Sequence, residues 1–101
     1  MGMDKVEPYH LSARIQLTDL ERLEETRHEL KKLQIATEAE PKCIQFRIFE
    51  DVKEPGTFVL WESWIGREGL DEHYSAEHTR RYFALGLTEI VSVDEVEALL
   101  R

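Results

Sequence analysis

The chain of 101 residues has room for one domain and not for two. Its 21 acidic and 13 basic side chains leave a formal net charge of −8, which repels phosphate backbones and anionic lipid and argues against nucleic acid or a membrane surface as partner. Aromatic mass from Trp61, Trp64, Phe46, Phe58 and Phe83 is enough to collapse a core, which excludes a disordered chain.

Cys43 is the only cysteine, so an intrachain disulfide and a cysteine-based zinc site are both excluded. Its place beside Ile44 in a strand-like run reads as a packed, inert thiol. Neither a membrane-length apolar run nor the apolar core of a signal peptide is present, and the cytoplasm is the expected compartment. Residues 1–8 read as an N-terminal extension and residues 9–101 as a single domain.

Residues 9–17 alternate, with Leu11, Ala13, Ile15 and Leu17 on one side and His10, Ser12, Arg14 and Gln16 on the other, the period of a strand with one apolar face. Thr18 or Asp19 then caps a helix, with Glu21 and Glu24 near its positive end. Leu20, Leu23, Leu30 and Leu33 fall on one stripe of that helix, and the charged residues fall on the others. Pro41 ends the helical region, and residues 43–49 form a second strand. Pro55-Gly56 turns the chain into a third strand at residues 57–65, antiparallel to the second.

The third strand is apolar on both sides: Phe58, Leu60 and Trp64 face one way, Val59, Trp61 and Ile65 the other. Helices cover one face, and a second copy of the chain is the simplest cover for the other, which predicts a homodimer. Residues 67–86 read as helix, with Leu70, His73, Tyr74, Tyr82, Phe83 and Leu87 on its apolar side and an interruption near Ser75-Ala76. Residues 92–101 read two ways. Ser92 and Glu95 match a capping box, while Val96, Ala98 and Leu100 alternate like a strand. With a strand there, the order is β-α-β-β-α-β, the ferredoxin-like split unit.

Among candidate chemical groups, His10 and His28 read as surface or packing residues. His73 and His78 share a helical segment, yet five residues turn about 140° on a regular helix, so the pair diverges unless the helix breaks, and no metal site is expected. No nucleophile elbow and no glycine-rich phosphate cradle is present. What remains is a pocket: a histidine among aromatic walls can serve as a general base, and Trp64, Tyr82 and Phe83 offer flat apolar surfaces.

The run Phe58-Val59-Leu60-Trp61-Glu62-Ser63-Trp64, then Leu70-Asp71-Glu72-His73 and Ala76-Glu77-His78, resembles the antibiotic biosynthesis monooxygenase family. The resemblance covers residues 9–100 and is carried by Glu62, Trp64, Leu70, His73 and His78. It implies an α+β, ferredoxin-like βαββαβ subunit with an antiparallel sheet that pairs into a dimeric α+β barrel, and so favours a strand for the tail. It further implies a monooxygenase that uses O₂ on a small aromatic, quinol-like or polyketide-like substrate without metal, flavin or haem. Carried over by position, His73 is the catalytic base or substrate hydrogen-bond partner and Trp64 a pocket wall. Glu62 and His78 are motif matches that also serve as substrate-binding candidates, and Tyr82 is added from its spacing. Two competing readings stand beside this one: a non-catalytic dimeric module that binds a small ligand, and an isomerase or lyase acting on a small metabolite.

Overall fold

A computed structural model describes residues 7–100. Residues 1–6 of the expected N-terminal extension lie outside the described residues. Four strands, β1 (Pro8–Leu17), β2 (Cys43–Glu50), β3 (Thr57–Ile65) and β4 (Thr88–Val96), form one sheet in the order β2-β3-β1-β4. All three pairings are antiparallel. Three helices, α1 (Leu23–Glu38), α2 (Gly66–Ser75) and α3 (Glu77–Leu85), complete the α+β, ferredoxin-like unit.

The alternation in β1 does what its period requires. Leu11, Ala13 and Ile15 are buried, and opposite them on β3 lie Glu62, Leu60 and Phe58, buried on the same face. Leu30 and Leu33 of α1, Phe46 of β2, Leu70 of α2 and Tyr82 of α3 close this face into the core. Asp19 accepts a hydrogen bond from the backbone N–H of Glu21 at 3.0 Å and so caps the helical region, which opens with a single 3₁₀ turn. That turn changes the stripe: Leu20, expected on the packed face, is exposed, while Thr26 and Thr37 are buried on α1.

The tail is a strand, but it begins earlier than expected and stops sooner. β4 covers residues 88–96, and residues 97–100 lie beyond it. A register shift between Arg14 and Ile15 leaves Val91 without a partner opposite, so the alternation along β4 changes phase in mid-strand. Apart from Thr88, β4 is exposed along its length, being an edge strand that the helices do not cover.

The outer face of the sheet is more polar than the third strand alone implied. Opposite the apolar side chains of β3 stand the polar ones of β1: His10 stacks on Trp61 at 5.8 Å and pairs through Nδ1 with Ser63 Oγ at 2.8 Å. Trp61 also donates to Gln45 Oε1 at 3.1 Å.

Candidate active site

The site is built where β3 runs directly into α2. That junction has no connecting residue, and Gly66 absorbs the turn with φ of +71°, a conformation that side chains rarely adopt. α2 then carries His73 on its buried side. The helix ends at Ala76, whose φ of −68° and ψ of 146° are extended, and α3 starts afresh at Glu77. The helix thus breaks at the interruption expected near Ser75-Ala76, and His73 and His78 do not diverge as they would on a continuous helix. The break brings the two rings to 6.1 Å.

Both histidines meet one oxygen of Glu40, in the turn after α1. Glu40 Oε2 lies 2.8 Å from His73 Nδ1 and 2.5 Å from His78 Nε2. A carboxylate only accepts, so both nitrogens carry their hydrogen in this arrangement. The tautomer of His73 is thereby fixed as Nδ1–H, with Thr79 Oγ1 also 3.1 Å from that nitrogen. Its Nε2 has no partner among the described residues, and the ring lines a cavity.

That cavity has a volume of about 80 Å³ and lies between the sheet and the helices. Leu11, Leu30, Phe46 and Leu60 make its walls apolar, and Glu62, His73 and Tyr82 interrupt them. Its rim is formed by Tyr74, Phe83, Ile90 and Val93, all of them exposed. Tyr82 is buried and pairs with Thr88 Oγ1 at 2.9 Å.

The electrostatics follow from burial. Loss of water pushes the carboxyl of Glu62 up to about 7, against a smaller opposing effect of the Trp64 indole, which donates to Glu62 Oε1 at 3.1 Å; the charge of Glu40 adds to the rise. The second oxygen of Glu62 has no protein partner among the described residues. Burial also holds His73 below the usual histidine range, although its hydrogen bond to Glu40 works the other way. Near neutral pH the site thus presents an imidazole with a free nitrogen and a carboxyl that is readily protonated. Cys43, half-buried nearby, is pushed up to about 11 by burial and by Glu40, which keeps it a thiol.

Of the five residues singled out from sequence, Glu62, His73 and Tyr82 share the cavity wall. Trp64 does not form the wall assigned to it. It is wholly buried behind the wall, 4.9 Å from the His73 ring and 6.3 Å from that of Phe46. His78 lies on the far side of Glu40, one third exposed. Glu40 itself gave no sequence signal beyond preceding Pro41.

The family model for antibiotic biosynthesis monooxygenases matches residues 8–85, which spans β1 through α3 and includes Glu40, Glu62, His73, His78 and Tyr82. The chain belongs to the antibiotic biosynthesis monooxygenase family. It is 28% identical over 82 residues to the YjcS protein of Bacillus subtilis (strain 168), an alignment covering 81% of this chain and 78% of that one. Among solved structures, Rv0793 from Mycobacterium tuberculosis is similar with a TM-score of 0.80 and 28% identity, covering 94% of this chain and 98% of that one. A solved antibiotic biosynthesis monooxygenase is similar with a TM-score of 0.79 and 27% identity, covering 89% and 98% of the two chains. No helix among the described residues of this family member is long and apolar enough to cross a membrane.

Proposed function

We propose that this family member is a monooxygenase that oxidises a small quinol-like aromatic with O₂ and without a resident cofactor, His73 serving as the base. The observation that carries the reading is a single one: an apolar cavity whose wall holds a tautomer-fixed histidine with a free Nε2 beside a carboxyl pushed up to about 7.

Nε2 takes the proton of a phenol or enol, and Glu40 stabilises the imidazolium across Nδ1–H. The electron-rich anion passes one electron to O₂, and the two radicals recombine to a carbon–oxygen bond. The hydroperoxide then loses water as its O–O bond breaks. A CH₂ or aromatic C–H carbon becomes C=O, one oxygen atom stays in the product and the other leaves as water. Glu62, protonated, donates to the substrate oxygen, and the apolar walls keep water from quenching the intermediate. A cavity of about 80 Å³ is small against the roughly 300 Å³ at the low end for drug-sized ligands, which favours one ring over several.

A second copy of the chain belongs to the proposal. Ile90 and Val93 of β4 stand opposite or beside the core-facing Ile15 and Ala13 of β1, yet both are exposed at the cavity rim next to Phe83 and Tyr74. A partner laid over this edge would dry the rim and complete the enclosure.

The test is oxygen uptake by the chelator-treated protein across a panel of hydroquinones and anthrones. Uptake is expected with at least one single-ring member, falling by about a hundredfold or more in His73→Ala. Silence across the panel overturns the reading, and turnover without oxygen would transfer it to isomerase or lyase chemistry.

A further inference from the structure

We infer that Glu40, His73 and His78 form a binding site for one divalent transition-metal ion, zinc being the ion whose chemistry fits best. Their three donor atoms all lie within 4.8 Å of one another. Two imidazole nitrogens and one carboxylate oxygen are the donor set of zinc sites that keep a position open, whereas calcium and magnesium prefer all-oxygen shells.

The spacing is close to what an ion needs. Zinc–nitrogen bonds of about 2.0–2.1 Å put the corners of a tetrahedron about 3.3 Å apart. Glu40 Oε2 now stands 2.8 and 2.5 Å from the two nitrogens, which themselves lie within 4.8 Å of each other, so Glu40 has to draw back by less than about 1 Å and the His78 ring to swing inward by up to about 1.5 Å. Glu40 lies in the turn between α1 and β2 rather than inside a helix or strand, and its side chain can shift without moving either. His78 is about a third exposed, which gives the ion a way in and leaves a face for water. The formal net charge of −8 attracts cations to the surface. The break at Ala76 makes the site, since on a continuous helix the two rings would point apart.

Binding replaces two hydrogen bonds with three metal bonds, and in a neutral ring the hydrogen moves to the other nitrogen, from Nδ1 to Nε2 in His73 and from Nε2 to Nδ1 in His78. A metal on Nδ1 leaves the ring hydrogen of His73 on Nε2, the nitrogen that would otherwise accept a proton. The loaded form is therefore expected to be inactive, a consequence that rests on the proposed oxygenase reading, while the metal site itself does not.

Zinc sulfate titrated calorimetrically into the chelator-treated full chain tests the site. One ion per chain is expected, with affinity at least tenfold weaker in Glu40→Gln and in His78→Ala and unchanged in His28→Ala, which alters an exposed histidine outside the site. Cobalt should give the visible absorption of a tetrahedral complex in wild type and lose it in His78→Ala. His78→Ala acts near the surface and decides the matter even where Glu40→Gln disturbs the fold. Absence of saturable uptake, or wild-type affinity in both site variants, overturns the inference, and neither result depends on finding a substrate.

Discussion

His73 and Glu40 are 33 positions apart in the chain, yet Nδ1 of one lies 2.8 Å from Oε2 of the other in a buried pocket. That pair sets the hydrogen of the imidazole on one nitrogen and leaves the other for the cavity. It also depends on backbone placed elsewhere: the turn that follows α1, the abrupt start of α2 at Gly66 and the stop at Ala76.

Glu62 makes stability depend on pH in a defined direction. Burial raises its folded-state pKa from an ordinary 4.5 to about 7, with Glu40, Tyr74 and His73 as titratable neighbours around the cavity. Between those values the native state holds a proton that the unfolded chain has released. The contribution is therefore full below about 4.5, declines as pH rises, and is lost above about 7, by roughly 3 kcal/mol in all. Urea unfolding of wild type and Glu62→Gln at several pH values checks this. Relative to the variant, wild type should weaken steadily from about pH 5 to pH 7 and then level off. A constant difference would contradict it.

Gly69 lets α2 lie close to the sheet. A Cβ there would meet Lys42 Cβ and the Lys42 carbonyl at 3.1 Å and Trp64 Cβ at 3.2 Å. The carbonyl cannot yield freely, because it accepts from Ile65 N at 2.9 Å. Alanine is the better helix former by about 1 kcal/mol, but overpacking costs about 1–3 kcal/mol. Gly69→Ala should therefore be destabilised by about 1 kcal/mol in thermal unfolding, and stabilisation would show that α2 can move outward at no cost.

Thr37 is wholly buried and its hydroxyl has no hydrogen-bond partner among the described residues. Valine has the same shape without the stranded polar group. Thr37→Val should gain about 1 kcal/mol in chemical denaturation, and a loss would mean that the hydroxyl is satisfied in solution.

Much of this architecture is legible in the sequence because it depends on local periods. The two-residue alternation of β1 and β3, the turn at Pro55-Gly56 and the interruption near Ser75-Ala76 are all short-range signals, and the motif holding Glu62 and His73 lies within twelve consecutive positions. What resists reading depends on tertiary contact. β4 hides because a bulge at Val91 shifts its alternation in mid-strand, while Ser92 and Glu95 imitate a helix cap. Leu20 looks like core until the 3₁₀ turn rotates it outward. Glu40 has no periodic neighbour to mark it, and its role exists only once α2 has broken and folded His78 back beside His73. Trp64 is aromatic in the right place for a wall, yet the packing of Phe46 and His73 seals it in.

The exposed rim makes the proposed assembly testable. Sedimentation equilibrium should report a dimer for wild type. Val93→Asp, which puts a charge beside Ile90 and Phe83, should shift it toward monomer with little change in helix content. A wild-type monomer across the concentration range would contradict the second-copy reading and leave the cavity open at its rim.

The fate of the two oxygen atoms tests the central claim most directly. Chelator-treated protein supplied with heavy-isotope dioxygen and a single-ring hydroquinone should place one labelled atom in the product and the other in water, and His73→Ala should abolish the labelled product. Product formed without label from dioxygen, or labelled product unaffected by His73→Ala, would contradict a His73-dependent monooxygenase.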